Sequence, residues 1–276
     1  MEIEPLQLYV PGEALKPYVD YFWYYPAYKA PHPYECILPH GLTEFQISLN
    51  EAPFVIHTSA GHQVYPNAFI TSGYMHPFWV ETHQAIDILS VKFKAGAAFL
   101  FFGEMSQALF NRHTDLQTLW GASANEWVER LREASLRSTL SCFQELERLL
   151  YQRLKQVSIA PRVKAMLNIL DHASLQRSEA LTQLLECSAP TLLQLYRQHI
   201  GVTPRKFTRV RRLANTLQQL AQFPQHSLSR LAYQHGFADQ SHLNHEFKNL
   251  LGFTPQEYAP QNAYQGFNLP CWELPL

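Results

Sequence analysis

Two stretches of this chain repeat one pattern 51 residues apart. Residues 195–207 read L-Y-R-Q-H-I-G-V-T-P-R-K-F, and residues 246–258 read E-F-K-N-L-L-G-F-T-P-Q-E-Y. In each, an aromatic (Tyr196, Phe247) precedes a cation (Arg197, Lys248), and an aliphatic (Ile200, Leu251) precedes a glycine. Gly201 and Gly252 are then followed, one residue on, by Thr-Pro. A glycine ends a helix because, lacking Cβ, it enters left-handed conformations at little cost. A threonine caps the next helix, whose first position accepts proline because its N–H is unpaired there anyway. One copy would be ordinary punctuation between helices. Two copies with matched flanks point to an internal duplication of a helical unit.

The rest of the 276-residue chain has to be placed around that duplication, and its length suggests two domains. At 46% hydrophobic and 16% charged it has the composition of a globular chain rather than a disordered one. No apolar run reaches the length of a membrane span, and the start, M-E-I-E-P-L-Q, lacks the basic and apolar segments of a secretory signal. Cys36, Cys142, Cys187 and Cys271 show neither metal spacing nor a paired pattern, which fits a reducing cytoplasm. The net charge of −1 hides an asymmetry. Residues 1–160 carry 11 Lys and Arg against 16 Asp and Glu, and residues 161–260 carry 11 against 6. The basic half calls for a polyanionic partner.

Residues 1–98 alternate like strands. Glu44–Leu49 and Ile86–Phe93 follow a period of two, with Asp87 and Lys92 on the polar side of the second run. Several such strands at short intervals suggest a small β-sandwich or barrel. The region is rich in aromatics, among them Tyr21, Trp23, Tyr25, Tyr74, Phe78 and Trp79. These either stack a small organic ligand in a pocket or fill a β core and its rim. As pocket candidates we take Trp23, His40, Glu44, Tyr74 and Trp79; His40 with Glu44 would form a proton-transfer pair if the two faced one another. The histidines of this half show no His-x-His or His-x3-His spacing, so no metal is expected, and no phosphate loop, dinucleotide fingerprint or nucleophile elbow appears. No cofactor and no catalytic residue follow.

From 99 to 157 the period becomes helical. Ala97–Phe110 reads as an apolar helix interrupted at Gly103, and Ser123-Ala-Asn-Glu126 as a capping box. A helix over 136–156 carries a stripe of Leu140, Phe143, Leu146, Leu149/Leu150 and Leu154. That stripe is expected either on the β half or on a second copy of the chain, with a homodimer preferred. Ser158-Ile-Ala-Pro161 reads as a linker. Beyond it come helices over 162–173 and 179–200, the second broken before Ser188-Ala-Pro190, and a long helix Pro204–Gln222. A short helix then breaks at Gly236 and another begins at Asp239, the helix–turn–helix arrangement that places its second helix in a major groove.

The stretch 162–258 resembles the double helix-turn-helix domain of the AraC/XylS family of bacterial transcription regulators. The residues that carry the likeness are Leu231-Ala232-x3-Gly236-Phe237-x-Asp239-Gln240-Ser241-x-Leu243-x3-Phe247-Lys248-x3-Gly252-x-Thr254-Pro255. Pro39-His-Gly41 and Val91-Lys-Phe-Lys-Ala-Gly96 are similar to one subgroup's β-rich half. The resemblance implies an α+β chain. Residues 1–157 would be a β-rich effector-sensing domain that ends in helices from about 99, residues 158–260 two helix-turn-helix units joined by a long helix, and 261–276 a tail. It implies a sequence-specific DNA-binding regulator set by a small-molecule effector, with double-stranded DNA and RNA polymerase as partners. Gln240, Ser241, His242 and His245 would face the groove from the second unit, and Pro190, Leu193 and Gln194 from the first. Arg209, Arg211 and Arg212 would lie near phosphates. Leu181, Leu185, Leu192, Leu195, Tyr196, Leu231, Phe237, Leu243 and Phe247 would be core. Two departures stand out: Glu186-Cys187 replaces the usual turn glycine, and Gln194 and His245 stand where relatives often carry Arg. The alternative is a sensor or enzyme in the β half, with the helical half as a partner adaptor.

Overall fold

The computed structural model describes residues 6–103, 109–172, 178–223, 225–258 and 268–271. Strands β1 (Gln7–Tyr9), β2 (Val19–Tyr28), β3 (Tyr34–Ile37), β4 (Glu44–Ser48) and β5 (Phe54–Thr58) come first. They are followed by β6 (Gly61–Tyr65), β7 (Ala68–Ser72), β8 (Phe78–Glu81) and β9 (Ile86–Phe93). Next are α1 (Phe99–Phe102), β10 (Arg112–Asp115), α2 (Leu116–Trp120), α3 (Ala122–Arg137) and α4 (Thr139–Leu154). The remaining helices are α5 (Pro161–His172), α6 (Ser178–Leu184), α7 (Ala189–His199) and α8 (Pro204–Gln222). After them lie α9 (Leu228–Gln234), α10 (Gln240–Leu251), α11 (Pro255–Tyr258) and a last strand, β11 (Asn268–Cys271).

The strands form two antiparallel sheets, ordered β1-β2-β9-β4-β7-β10 and β11-β3-β8-β5-β6. Period-two alternation decides what each face meets. On the first sheet Phe22, Phe45, Ile47, Ile70, Leu89, Val91 and Phe93 are buried toward α3 and α4, sharing one core with Val128, Leu131, Phe143, Leu146 and Leu150. Tyr9, Phe22 and Phe143 stack there at ring separations of 5.2–6.4 Å. The α4 stripe therefore lies on the β-sheet, not on a second copy. Of its members Leu140 alone is mostly exposed. The opposite face of the sheet, with Tyr21, Trp23, Glu44 and Lys92, looks toward the second sheet.

Several local expectations need correction. The helix expected over 97–110 is a single turn, α1, ending at Gly103; residues 104–108 lie outside the described residues. Arg112–Asp115, too short and polar to announce itself, is an edge strand on β7. Ser123 does not cap: α3 begins after Gly121, and the Ser123 hydroxyl donates to the Trp120 carbonyl at 2.7 Å. The cap of α4 is Ser138, whose Oγ accepts from the Ser141 N–H at 3.0 Å. Ala173, Pro224 and most of the tail lie outside the described residues, but β11 of that tail pairs with β3, from Asn268↔Ile37 to Cys271↔Tyr34.

The two halves share apolar cores. The core behind the first sheet continues through Met166, Leu167 and Leu170 of α5 to Tyr196 and Phe207. A second core joins Cys36 and Leu38, on and just after β3, to Leu213, Leu217, Leu231, Phe237, Leu243 and Phe247. Gly201, the first glycine of the repeat, sits at φ +89°, where a Cβ would fall 2.8 Å from Phe110 Cβ. Gly73 meets the ring of the same phenylalanine from the β half, at 2.7 Å. Both glycines are required for that close approach.

Candidate DNA-reading face and effector cavity

The second helix-turn-helix unit is built as its sequence grammar dictates. Gly236 turns the chain at φ +72° between α9 and α10. Asp239 caps α10, its Oδ1 accepting from the His242 N–H at 2.7 Å, and Gly252 ends that helix in the left-handed region. Thr254 and Glu257 then cap each other reciprocally. Leu231, Phe237, Leu243 and Phe247 are buried, which leaves Ser241, His245, Lys248 and Asn249 exposed along α10. Gln240 lies at the start of the same helix with its Oε1 accepting from the Ser229 hydroxyl at 2.8 Å. His242 is turned back: its Nδ1 accepts from the Ala238 N–H at 3.1 Å and its ring stands edge-on to Phe237.

In the first unit Ser188 caps α7 through the Thr191 N–H. Pro190 and Gln194 are exposed, and Leu193 is half-buried. Leu192 and Tyr196 are buried as expected, but Leu195 is only partly so. Glu186, standing at the turn position where a glycine was expected, adopts φ +47°, a conformation that costs a side-chain-bearing residue about 1–2 kcal/mol.

The three arginines expected at phosphates each contact another part of the protein, Arg209 and Arg212 from partly exposed positions. Arg209 Nε donates to Glu246 Oε2 at 2.5 Å, tying α8 to α10. The Arg212 guanidinium lies 5.3 Å from the Phe237 ring centre. Arg211 faces the β half, where its Nη1 donates to the His40 carbonyl oxygen at 2.9 Å. Burial holds the Arg211 pKa below the usual guanidinium range. The reason is geometric. Helix α8 buries Phe207, Val210, Leu213, Ala214 and Leu217, and a β half covers the flank on which Arg211 lies. The exposed cations on this half, among the described residues, are Arg162, Lys164, Arg197, Arg205, Lys206, Arg230 and Lys248.

Between the sheets lies a cavity of about 160 Å³. Trp23, His40 and Glu44 line it, as expected; Tyr74 and Trp79 do not. Tyr74 stacks on His113 at 4.5 Å, and Trp79 points to the other side of its strand, onto the core shared with α8–α10. Tyr21 and Phe78, two of the aromatics that the sequence offers for a pocket, line it too, and so do Glu35, Gln46 and Lys92, which the sequence does not single out for this site. For Lys92 the signal was there, since alternation had put it on the polar side of β9.

One end of the cavity is a compact polar cluster. Lys92 stands opposite Glu44 in register and donates to the Tyr21 hydroxyl at 3.3 Å. Burial raises the Glu44 carboxyl above its ordinary range against the pull of Lys92. Burial, then the charges of Lys92 and Arg211, hold His40 well below the ordinary imidazole range. His40 Nδ1 accepts from the Leu42 N–H at 3.2 Å, so the neutral ring carries its proton on Nε2. That atom is 3.6 Å from Glu44 Oε1, too far for a hydrogen bond. The cluster can hold polar groups of a ligand, and its rim residue His40 touches α8 through Arg211.

A family model described as a helix-turn-helix domain matches residues 181–261, and one described as a domain of unknown function (DUF6597) matches residues 7–115. The HTH-type transcriptional activator RhaS of Escherichia fergusonii is 26% identical over 268 residues, covering 87% of this chain and 94% of that protein. The protein of the same name from Salmonella arizonae is 29% identical over 79 residues, 29% of this chain and 28% of the relative. Among solved structures, unsaturated fatty acid-bound ToxT from Vibrio cholerae has a TM-score of 0.45 at 13% identity, over 86% of this chain and 94% of that one.

Proposed function

For a chain that belongs to the AraC/XylS family of DNA-binding transcription regulators, we propose that the cavity between the two sheets is the effector site and that His40 and Arg211 couple it to the DNA-reading helices. The observation that carries this reading is the bond from Arg211 Nη1, on α8, to the carbonyl of His40, a residue of the cavity wall. A ligand that shifts His40 acts on the one long helix that joins both helix-turn-helix units. Ser241 and His245 on α10, with Gln240 at its start, are the proposed base readers: serine is permissive, histidine donates to guanine, and glutamine pairs with adenine. Gln194 and Pro190 contribute from α7. Salt-dependent affinity comes from Arg205, Lys206, Arg197 and Lys248, with Arg209 holding α10 in place.

The relatives named RhaS are activators, which supports an output through RNA polymerase. Leu136 and Leu140, 87% and 55% exposed where α3 turns into α4, support self-association there. The cavity is read as a binding site and not a catalytic one. The test is selection of random duplex DNA by the full-length protein, followed by footprinting of the winners. A motif with two blocks about one helical turn apart is the expected result. Absence of any enriched sequence would remove the reading.

A further inference from the structure

On the strength of the effector reading above, we propose that the cavity takes a neutral molecule built on one aromatic ring, with a hydrogen-bond donor beside an acceptor on its edge as in a carboxamide, and that Gln46 reads that edge. Size sets the first limit. The cavity's 160 Å³ is close to the roughly 150 Å³ of an engineered protein cavity that holds one benzene, so it suits one ring rather than two. The charged residues of the wall set the second. Glu35 is met by the Tyr28 hydroxyl, which donates to it, and by His32 Nε2 at 3.4 Å. Glu81 is met by His57 Nε2 at 2.7 Å. Glu44 stands opposite Lys92 in register, with His40 Nε2 at 3.6 Å. An ionic ligand of either sign would break one of these pairings or sit dehydrated beside it, a cost that a neutral ligand avoids.

Gln46 is the polar group of the wall that remains for a ligand. It is half-buried on β4 and lines the cavity, and no hydrogen bond joins its side-chain amide to another described residue. A primary amide offers two donors and an acceptor, so a partner that presents an acceptor beside a donor is bound twice. Trp23 supplies a platform for the ring. Trp23 and Gln46 both line the cavity and both stand opposite Ser90, so they share one row and one face of the first sheet, two strands apart. Strand spacing puts their backbones about 10 Å apart, room for a ring stacked on the indole with its amide edge at Gln46.

The test titrates the full chain by calorimetry with four probes of similar shape: benzamide, benzoate, benzamidinium and ethylbenzene. A methyl pyranoside serves as a neutral ring without an aromatic face. Benzamide is expected to bind, and each ion at least about tenfold more weakly. Gln46→Leu, which removes the amide, should weaken benzamide about tenfold and leave ethylbenzene equal or tighter, a contrast that a general loosening of the cavity would not produce. Melting curves show which variants fold, and if Gln46→Leu does not, Gln46→Met carries the test. Either ion bound as tightly as benzamide would overturn the neutral assignment, and the pyranoside bound more tightly would overturn the aromatic ring. Benzamide binding indifferent to the loss of the Gln46 amide overturns the proposal as well, as does binding of no probe. The effector reading fails on a different result: DNA affinity unchanged when Ile88→Trp fills the cavity.

Discussion

Arg211 on α8 donates to the carbonyl oxygen of His40 across 2.9 Å, and each lies in a different half of the chain. Beside this bond, Gly41 at φ +73° brings the turn after His40 so near α8 that a Cβ would lie 3.1 Å from Val210 Cγ1. The turn Pro39-His40-Gly41 is thus both a wall of the cavity and a seat for the helix that joins the two DNA-reading units. Arginine suits the seat because its guanidinium donates in several directions at once while staying charged.

Because that guanidinium faces His40, Arg211→Met should leave the salt dependence of DNA binding unchanged. Anisotropy titrations from low to high salt check it. A slope smaller by about one unit would place Arg211 at a phosphate instead. Arg205→Met, at an exposed position, should show that smaller slope.

His245 is exposed on α10 with its neighbours Leu243 and Phe247 buried. His245→Ala should cost about 1–3 kcal/mol at one base position and relax the preference there. Affinities for single-base variants of a selected site measure this, and an unaltered preference would remove His245 from the reading set.

Glu186 holds φ +47° at the turn between α6 and α7. Glu186→Gly should raise the stability of the chain by about 0.5–1 kcal/mol, read as a higher denaturation midpoint, since glycine relieves the left-handed strain but loses more entropy on folding. A lower midpoint would show that the carboxylate contributes more than the strain costs.

Acid should destabilise the fold through its buried imidazoles. Burial lowers His113 to about 3 and holds His40 well below its usual range. Each binds its proton more readily unfolded than folded, so neither costs stability above about pH 6.5, and below it each removes up to about 1.4 kcal/mol per pH unit. His113→Phe, in a site walled by Tyr74 and Phe78, should flatten the decline of melting temperature between pH 6.5 and pH 4 by one histidine's share, while an unchanged slope would contradict the burial of that ring.

The helical half was legible because its signals are local. Gly201-x-Thr203-Pro204 and Gly252-x-Thr254-Pro255 announce caps that a few residues determine, and both glycines take positive φ. The alternation of Ile86–Phe93 likewise assigned Lys92 to the polar face. What failed to show was anything set by a distant partner. Periodicity marks Arg211 as off the apolar stripe of α8 but cannot say that the β half covers that flank. Trp79 was picked for its chemistry, although its place between Phe78 and Val80 puts it on the opposite face from the cavity. Arg112–Asp115 and Asn268–Cys271 are strands only because β7 and β3 offer them edges.

The coupling between cavity and DNA-reading helices is tested most directly by a double-mutant cycle in DNA affinity. Ile88→Trp places a side chain in the cavity, and Arg211→Met cuts its link to α8. Filling the cavity should change affinity for a selected site severalfold when Arg211 is present, with most of that change lost in the Arg211→Met background, an interaction of about 1 kcal/mol or more. The same change in both backgrounds would mean that the cavity does not reach the DNA-reading helices through His40 and Arg211.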